Sequence, residues 1–268
     1  MEFPTGSDFV GSYPQVFRPE GRALSKGAYI EGELCSHTTY RRVDLHTSRG
    51  HIRATLVGDV ATAPEHRGDR LASRILQEIA TEEQAAGQDC LMLWSDLWDF
   101  YARLGFAPAG IQGEVQLHLC LSMDSPDVRR ACISDVVALA DLHAQKPWRV
   151  ERNLEEFALL LSVPKLDCMV LERDGRVRAY ACHGKGMDLQ GWWHELGGSD
   201  RELQVLIPAA MTQLGQERAT LMLPPYRHNL IEGLTGCYDD LREGIVALCK
   251  PLTDRGLCDF FVDGLDSI

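Results

Sequence analysis

At Pro64 the hydrophobic period of the chain changes. The run before it, Ile52 to Thr62, reads as a strand of apolar and β-branched residues that the proline halts. Beyond it Leu71, Ala72, Ile75, Leu76, Ile79 and Ala80 recur at helical spacing, and Gly87 stands where that helix would end. A strand, a glycine-containing loop and an amphipathic helix therefore follow one another. Such a helix start points several backbone N–H groups one way and adds the positive end of the helix dipole. A nest of this kind binds a pyrophosphate.

Two strands are predicted around a turn at Gly32, between Ala28 and Leu45. After the helix, Cys90 to Trp94 reads as a buried strand, Phe100 to Leu104 as a short helix ended by Gly105, and Glu114 to Leu121 as an alternating strand. Turn-forming residues from Ser122 to Asp127 mark a seam. The order of elements then begins again. Asp174-Gly175 joins the best hairpin in the chain, and Trp192 to Gly198 occupies the place that Val57 to Thr62 has in the first half, which suggests a diverged internal repeat. Helices are expected over 135–145, 153–161 and 201–216, and a strand over 219–223; the tail from Arg227 to Ile268 carries no readable pattern.

The stretch Val60-Ala61-Thr62 through Arg67-Gly68-Asp69-Arg70-Leu71-Ala72-Ser73 resembles the acyl-CoA loop of the GNAT superfamily, which reads Arg/Gln-x-x-Gly-x-Gly/Ala. A second stretch, Trp98-Asp99-Phe100-Tyr101-Ala102-Arg103-Leu104-Gly105-Phe106, is similar to the family's Phe-Tyr-x-x-x-Gly-Phe helix and turn. The resemblance implies that Val60, Ala61 and Thr62 pair with the pantetheine arm of acetyl-CoA. It assigns the pyrophosphate to Arg67, Gly68, Asp69, Arg70, Leu71, Ala72 and Ser73, and the role of general acid to Tyr101. A phenol of ordinary pKa about 10 is protonated at neutral pH and can return a proton to a thiolate. Arg70 departs from the pattern, because the family usually has its first loop glycine there. If the position needs a positive φ, arginine is strained, and it either adds a phosphate contact or lowers cofactor affinity.

The resemblance implies an α/β (mixed α+β) fold of two GNAT-like domains, each a mixed, mostly antiparallel twisted sheet flanked by helices. Residues 1–124 would form the domain with the acetyl-CoA loop, its early helices reduced, and residues 125–268 a degenerate copy without the loop. A length of 268 residues with 45% hydrophobic and 25% charged content fits two ordinary folded domains. The expected reaction is acetyl transfer from acetyl-CoA to a primary amine by direct attack, with a small molecule or a peptide as acceptor; the alternative is a non-catalytic acyl-CoA-binding or regulatory protein. Asp59, Glu195 and Asp96 are the carboxylates placed in sequence to accept the amine proton.

A net charge of −12 argues against nucleic-acid binding, no apolar run is long enough to span a membrane, and nine scattered cysteines fit a reducing, cytoplasmic setting. No metal site is expected, since His194-Glu195 lacks a second histidine at zinc-protease spacing and Gly197-Gly198 breaks any helix.

Overall fold

The structure, a computed structural model, describes residues 9–119, 125–186 and 188–268. Two short helices, α1 (Phe9–Ser12) and α2 (Pro14–Phe17), lead into the antiparallel strands β1 (Leu24–Ile30), β2 (Glu33–Thr47) and β3 (Gly50–Thr62). Helix α3 (Leu71–Ala85) crosses over to β4 (Cys90–Leu93), which lies parallel to β3, as a crossover helix permits. Then come α4 (Trp98–Ala102), β5 (Ala107–Ala109) and β6 (Gln112–His118).

The second half opens with β7 (Val128–Arg130), α5 (Val136–Ala144), β8 (Arg149–Val150) and α6 (Leu154–Leu161). It repeats the first with β9 (Asp167–Arg173), β10 (Arg176–His183), β11 (Trp192–Gly198), α7 (Asp200–Gln213), β12 (Arg218–Leu223), α8 (His228–Gly233), β13 (Tyr238–Gly244) and β14 (Ala247–Pro251). The turn chemistry repeats too. Glu31 (φ 52°) with Gly32 (φ 89°), and Asp174 (φ 53°) with Gly175 (φ 67°), take the paired positive φ of a tight two-residue hairpin turn.

Among the described residues the chain forms two seven-stranded sheets. The first has the order β1-β2-β3-β4-β14-β5 with β8 also on β2, and the second runs β13-β6-β12-β11-β10-β9-β7. Each repeat thus lends its last strand to the other's sheet: β14 lies between β4 and β5, and β6 pairs with both β12 and β13. The alternating strand predicted to close the first half therefore completes the second sheet instead. Half of the predicted seam, residues 122–124, falls outside the described residues.

Helix α3 buries Leu71 and packs Ile75, Leu76, Ile79 and Ala80 in one cluster with Tyr40, Val57, Leu91 and Leu93 of the first sheet. Each buried leucine or isoleucine contributes about 1.5–3 kcal/mol. Its buried Glu83 bolts the helix to the strands, accepting from Arg42 Nε and Nη2 at 2.8 Å each and from Thr55 Oγ1 at 2.7 Å. Burial alone would raise the Glu83 pKa, but Arg42 and Thr55 outweigh it and hold the carboxyl below its usual range. The opposite face of the sheet packs Leu56 and Met92 on Phe260, Phe261 and Val262, so the tail without readable pattern is core.

Candidate active site

Strands β3 and β4 pair only from Ala54 opposite Cys90 to Leu56 opposite Met92. Beyond that β3 runs on to Thr62, held on its far side by β2, where Ser36 Oγ donates to the Ala61 carbonyl at 2.9 Å. On the other side residues 57–62 therefore have no β4 partner. The predicted pantetheine residues Val60, Ala61 and Thr62 all lie on this stretch. The chain then leads to the start of α3, where Arg67, Gly68, Asp69 and Arg70 are exposed and Ala72 and Ser73 half-buried.

Gly68 has φ 101°, and Arg70, immediately before the helix, has φ 61° and ψ 22° with no side-chain cap bond. The position expected to favour glycine is left-handed, and arginine occupies it. Arg74 N–H makes the bond to the Arg70 carbonyl at 3.0 Å. The N–H groups of the first turn, which a helix cannot satisfy internally, open onto the exposed loop. Arg67 and Arg70 bring two cations there, and Asp69, bonded to His66 Nδ1 at 3.3 Å, brings an opposing carboxylate.

Tyr101 is buried on α4, its ring set edge-on to Phe106 at 5.7 Å and to Phe100 at 4.9 Å. Its hydroxyl bonds Ser95, two residues beyond the end of β4. Burial raises the phenol pKa and the Ser95 bond only partly offsets it, so the hydroxyl keeps its proton. On β3, Asp59 has φ 50° at an irregularity in the β2–β3 register, and its Oδ2 lies 3.2 Å from His37 Nδ1. Burial raises the Asp59 pKa while His37 pulls it back. Beside it Gly58 is buried under the chain's last residue: a Cβ there would stand 2.9 Å from the Ile268 carbonyl carbon.

Glu195 is elsewhere. It sits in the second sheet with no exposure, accepting from Arg152 Nη1 and Nη2 at 2.8 and 2.9 Å and from Tyr180 at 2.8 Å, with Lys146 Nζ at 3.4 Å. Burial would raise its pKa, but Arg152 and Lys146 dominate and hold it well below the usual carboxylate range. Asp59, near the end of β3, and Tyr101, bonded to Ser95 just past β4, thus belong to the same end of the parallel β3–β4 pair, whereas Glu195 lies in a buried ion network with Asp263 and Asp266. His143, Glu195 and Asp263 offer ligand atoms within 4.8 Å of one another, yet the Lys146 ammonium, 2.9 Å from Asp263 and 3.4 Å from Glu195, already neutralises that set. Asp96 is exposed on the loop after β4.

The second sheet has the same divergence, since β11 and β12 pair only at Trp192–Thr220 and Trp193–Leu221. Here the gap is filled. Arg227 donates to the carbonyls of Leu196 at 3.3 Å and Gly198 at 3.1 Å, and to Asp200 at 2.7 Å. Helix α7 is closed by its own capping box, Ser199 with Glu202, and its first turn is acidic.

The fold of two sheets flanked by helices is shared with solved structures of acyltransferase type. Residues 16–109 match the family model described as acetyltransferase (GNAT) domain. Among solved structures it is similar to a conserved Enterococcus faecalis protein of unknown function described as a probable N-acyltransferase. That match has 13% identity, a TM-score of 0.70, and covers 95% of this chain and 67% of the other. A GCN5-related N-acetyltransferase from Kribbella flavida gives 15% identity and a TM-score of 0.66, over 89% of this chain and 62% of the other. Saccharomyces cerevisiae N-myristoyltransferase with bound myristoyl-CoA gives 10% and 0.55, over 82% and 67%. The chain thus spans about two thirds of the length of these structures. No curated protein matches it.

His37 and Ile268 escaped the sequence reading. His37 meets Asp59 only because of an irregular register, and Ile268 arrives from the unpatterned tail. No motif marks either.

Proposed function

We propose that the chain is an N-acetyltransferase that moves an acetyl group from acetyl-CoA to a primary amine by direct attack. One observation carries this reading: the β3–β4 pairing ends after Leu56, and on our reading this leaves a cleft running from the loop before α3 to the end of β4, where Ser95 bonds the Tyr101 hydroxyl. Acetyl-CoA supplies the activated acyl group and a thiol leaving group. The free backbone edge of residues 60–62 holds its pantetheine arm, and the N–H groups of the α3 start with Arg67 and Arg70 hold its pyrophosphate. Ala72 is small enough to allow close approach.

Asp59 accepts the proton that the attacking amine gives up, and His37 orients the carboxylate and passes the proton onward. Raised by burial, the Asp59 carboxyl is a better base than an exposed aspartate. Tyr101 donates its phenolic proton to the departing sulfur, and its buried setting keeps that proton in place until then. Glu195 takes no part in proton transfer; its oxygens are committed to Arg152, Tyr180 and Lys146. The eight described cysteines are free thiols, in keeping with a cytoplasmic enzyme.

Steady-state release of free CoA across a panel of primary amines tests the proposal. Tyr101→Phe keeps the ring packing, so acetyl-CoA affinity by calorimetry should hold while kcat falls by about 10²-fold or more. Binding without turnover for every amine, at wild-type affinity, would support the non-catalytic alternative instead.

A further inference from the structure

Residues 260–268 run between the sheets, and one buried lysine gathers their last turn. Lys185 is 2% exposed, and its Nζ donates to the carbonyls of Gly264 at 2.8 Å, Leu265 at 3.1 Å and Ser267 at 2.5 Å, with Ser267 Oγ at 3.2 Å. Three carbonyl dipoles aimed at one point repel each other unless a cation stands between them. Other elements fix the same turn from the remaining sides. Gln15 of α2 donates to Leu265 and Ser267 at 3.3 and 3.0 Å, and Arg152 holds Asp266 at 2.6 Å. Gly264 packs so closely that a Cβ would stand 2.7 Å from the His194 side chain.

The turn has one seat, and the residue after it is Ile268, lying on Gly58 beside the strained Asp59. We propose that Lys185 is a positioning residue of the candidate active site: by gathering the carbonyls of 264–267 it holds Ile268 against Gly58, and so fixes the stretch of β3 that presents Asp59 to the cleft. The inference rests on the acetyltransferase reading of that cleft.

The charge on Lys185 is held at a cost. Burial pulls its pKa down to about 7, although Asp266, Asp188 and Glu195 push it up; Arg152 adds to the lowering. Tyr13 covers the ammonium with its ring at 5.0 Å, and His194 faces it from β11. Packing alone would be served by an apolar side chain of the same length. The converging carbonyls are what require the cation.

The test uses the full chain with Lys185→Met, Lys185→Arg and Ser267→Ala, read by amide hydrogen exchange and by kinetics with the best amine of the panel. In Lys185→Met, amides of 260–268 and of 58–62 should exchange about tenfold faster or more. Its kcat should drop by about tenfold or more, because small misplacements of a reacting group are that costly, while KM for acetyl-CoA moves less than about twofold. Lys185→Arg should recover part of the loss, and Ser267→Ala should move exchange and kcat the same way by about twofold to fivefold.

A folded Lys185→Met with a loosened tail and unchanged kcat would overturn the proposal, as would a loss confined to KM for acetyl-CoA. Should Lys185→Met fail to fold, Ser267→Ala decides alone, and wild-type exchange and kcat in it would count against the clamp. If the wild-type chain turns over no amine, the functional reading fails by itself. Exchange at 58–62 then judges the clamp separately: rates equal to wild type in the variants refute it.

Discussion

Arg70 offers a way to separate two physical effects at one residue. It stands at φ 61° just ahead of α3, where a residue with a Cβ is disfavoured by about 1–2 kcal/mol relative to its right-handed conformation. Glycine removes that strain but gains freedom in the unfolded chain, which costs about 0.5–1 kcal/mol. Arg70→Gly should therefore leave the fold unchanged or steadier by up to about 1.5 kcal/mol, and about 2–4 °C per kcal/mol converts that into a melting shift of 0 to about 6 °C. Arg70→Ala keeps the strain and loses the guanidinium.

Both variants remove a cation from the exposed rim of the proposed phosphate site, where a solvent-screened contact is worth up to about 1 kcal/mol, or about fivefold in Kd. Calorimetric titration with CoA at low and moderate salt should then show equal weakening in the two, shrinking as salt rises, while only Arg70→Gly melts higher. CoA binding as tight as wild type in Arg70→Ala would refute the phosphate contact. A fall in the melting point of Arg70→Gly would refute the strain.

Three further outcomes follow from the same geometry. Because burial raises the Asp59 pKa, the base is protonated at low pH and becomes competent as pH rises. The wild-type to Asp59→Asn ratio of kcat/KM should therefore climb through an ionisation above the ordinary aspartate range, whereas the titration of the free amine is common to both and cancels; a flat ratio would count against Asp59. Gly58→Ala should displace Ile268 and destabilise the chain by about 1–3 kcal/mol in urea unfolding, since the added Cβ would stand 2.9 Å from the Ile268 carbonyl carbon. Glu195→Gln leaves Arg152 and Lys146 short of a counter-charge and should cost about 3–5 kcal/mol at neutral pH. The folded pKa of Glu195 is depressed, so its contribution is full above the unfolded value near 4.5 and fades as pH falls towards the folded value; the deficit of the variant should narrow in acid.

What was legible in the sequence was whatever local chemistry dictates. The two hairpin turns, the halt at Pro64, the buried stripe of α3 and the glycine-like site at Arg70 depend on a few neighbouring residues, and each is found where the pattern puts it. The strand Gln112–His118 was readable as a strand but not as a member of the second sheet, because alternation reports a buried face and not which sheet supplies it. Glu195 misleads in the same way. The sequence puts this carboxylate at a strand end, but it lies in the middle of β11, where Arg152 and Lys146, more than forty residues earlier in the chain, neutralise it. The tail was opaque for a related reason. Phe260, Phe261 and Val262 follow neither period, since they fill the gap between two sheets and belong to no regular face.

On the proposed function, the two strand divergences account for one repeat taking a ligand and the other not. Divergence of a parallel strand pair leaves backbone carbonyls and N–H groups of one strand without strand partners, and burying such groups unpaired is costly. The fold has two ways to meet that cost. In the second sheet Arg227 meets it internally, donating to Leu196 and Gly198, and the neighbouring helix start is both self-capped and acidic, so a phosphate would be repelled where it would have to sit. In the first sheet the one side chain among the described hydrogen bonds that donates to residues 60–62, Ser36, comes from β2 on the far side, and the helix start is uncapped, exposed and flanked by Arg67 and Arg70. The same divergence is thus bridged by a side chain in one lobe and left without such a bridge on the β4 side in the other, so the proposed function calls for one acyl-CoA per chain.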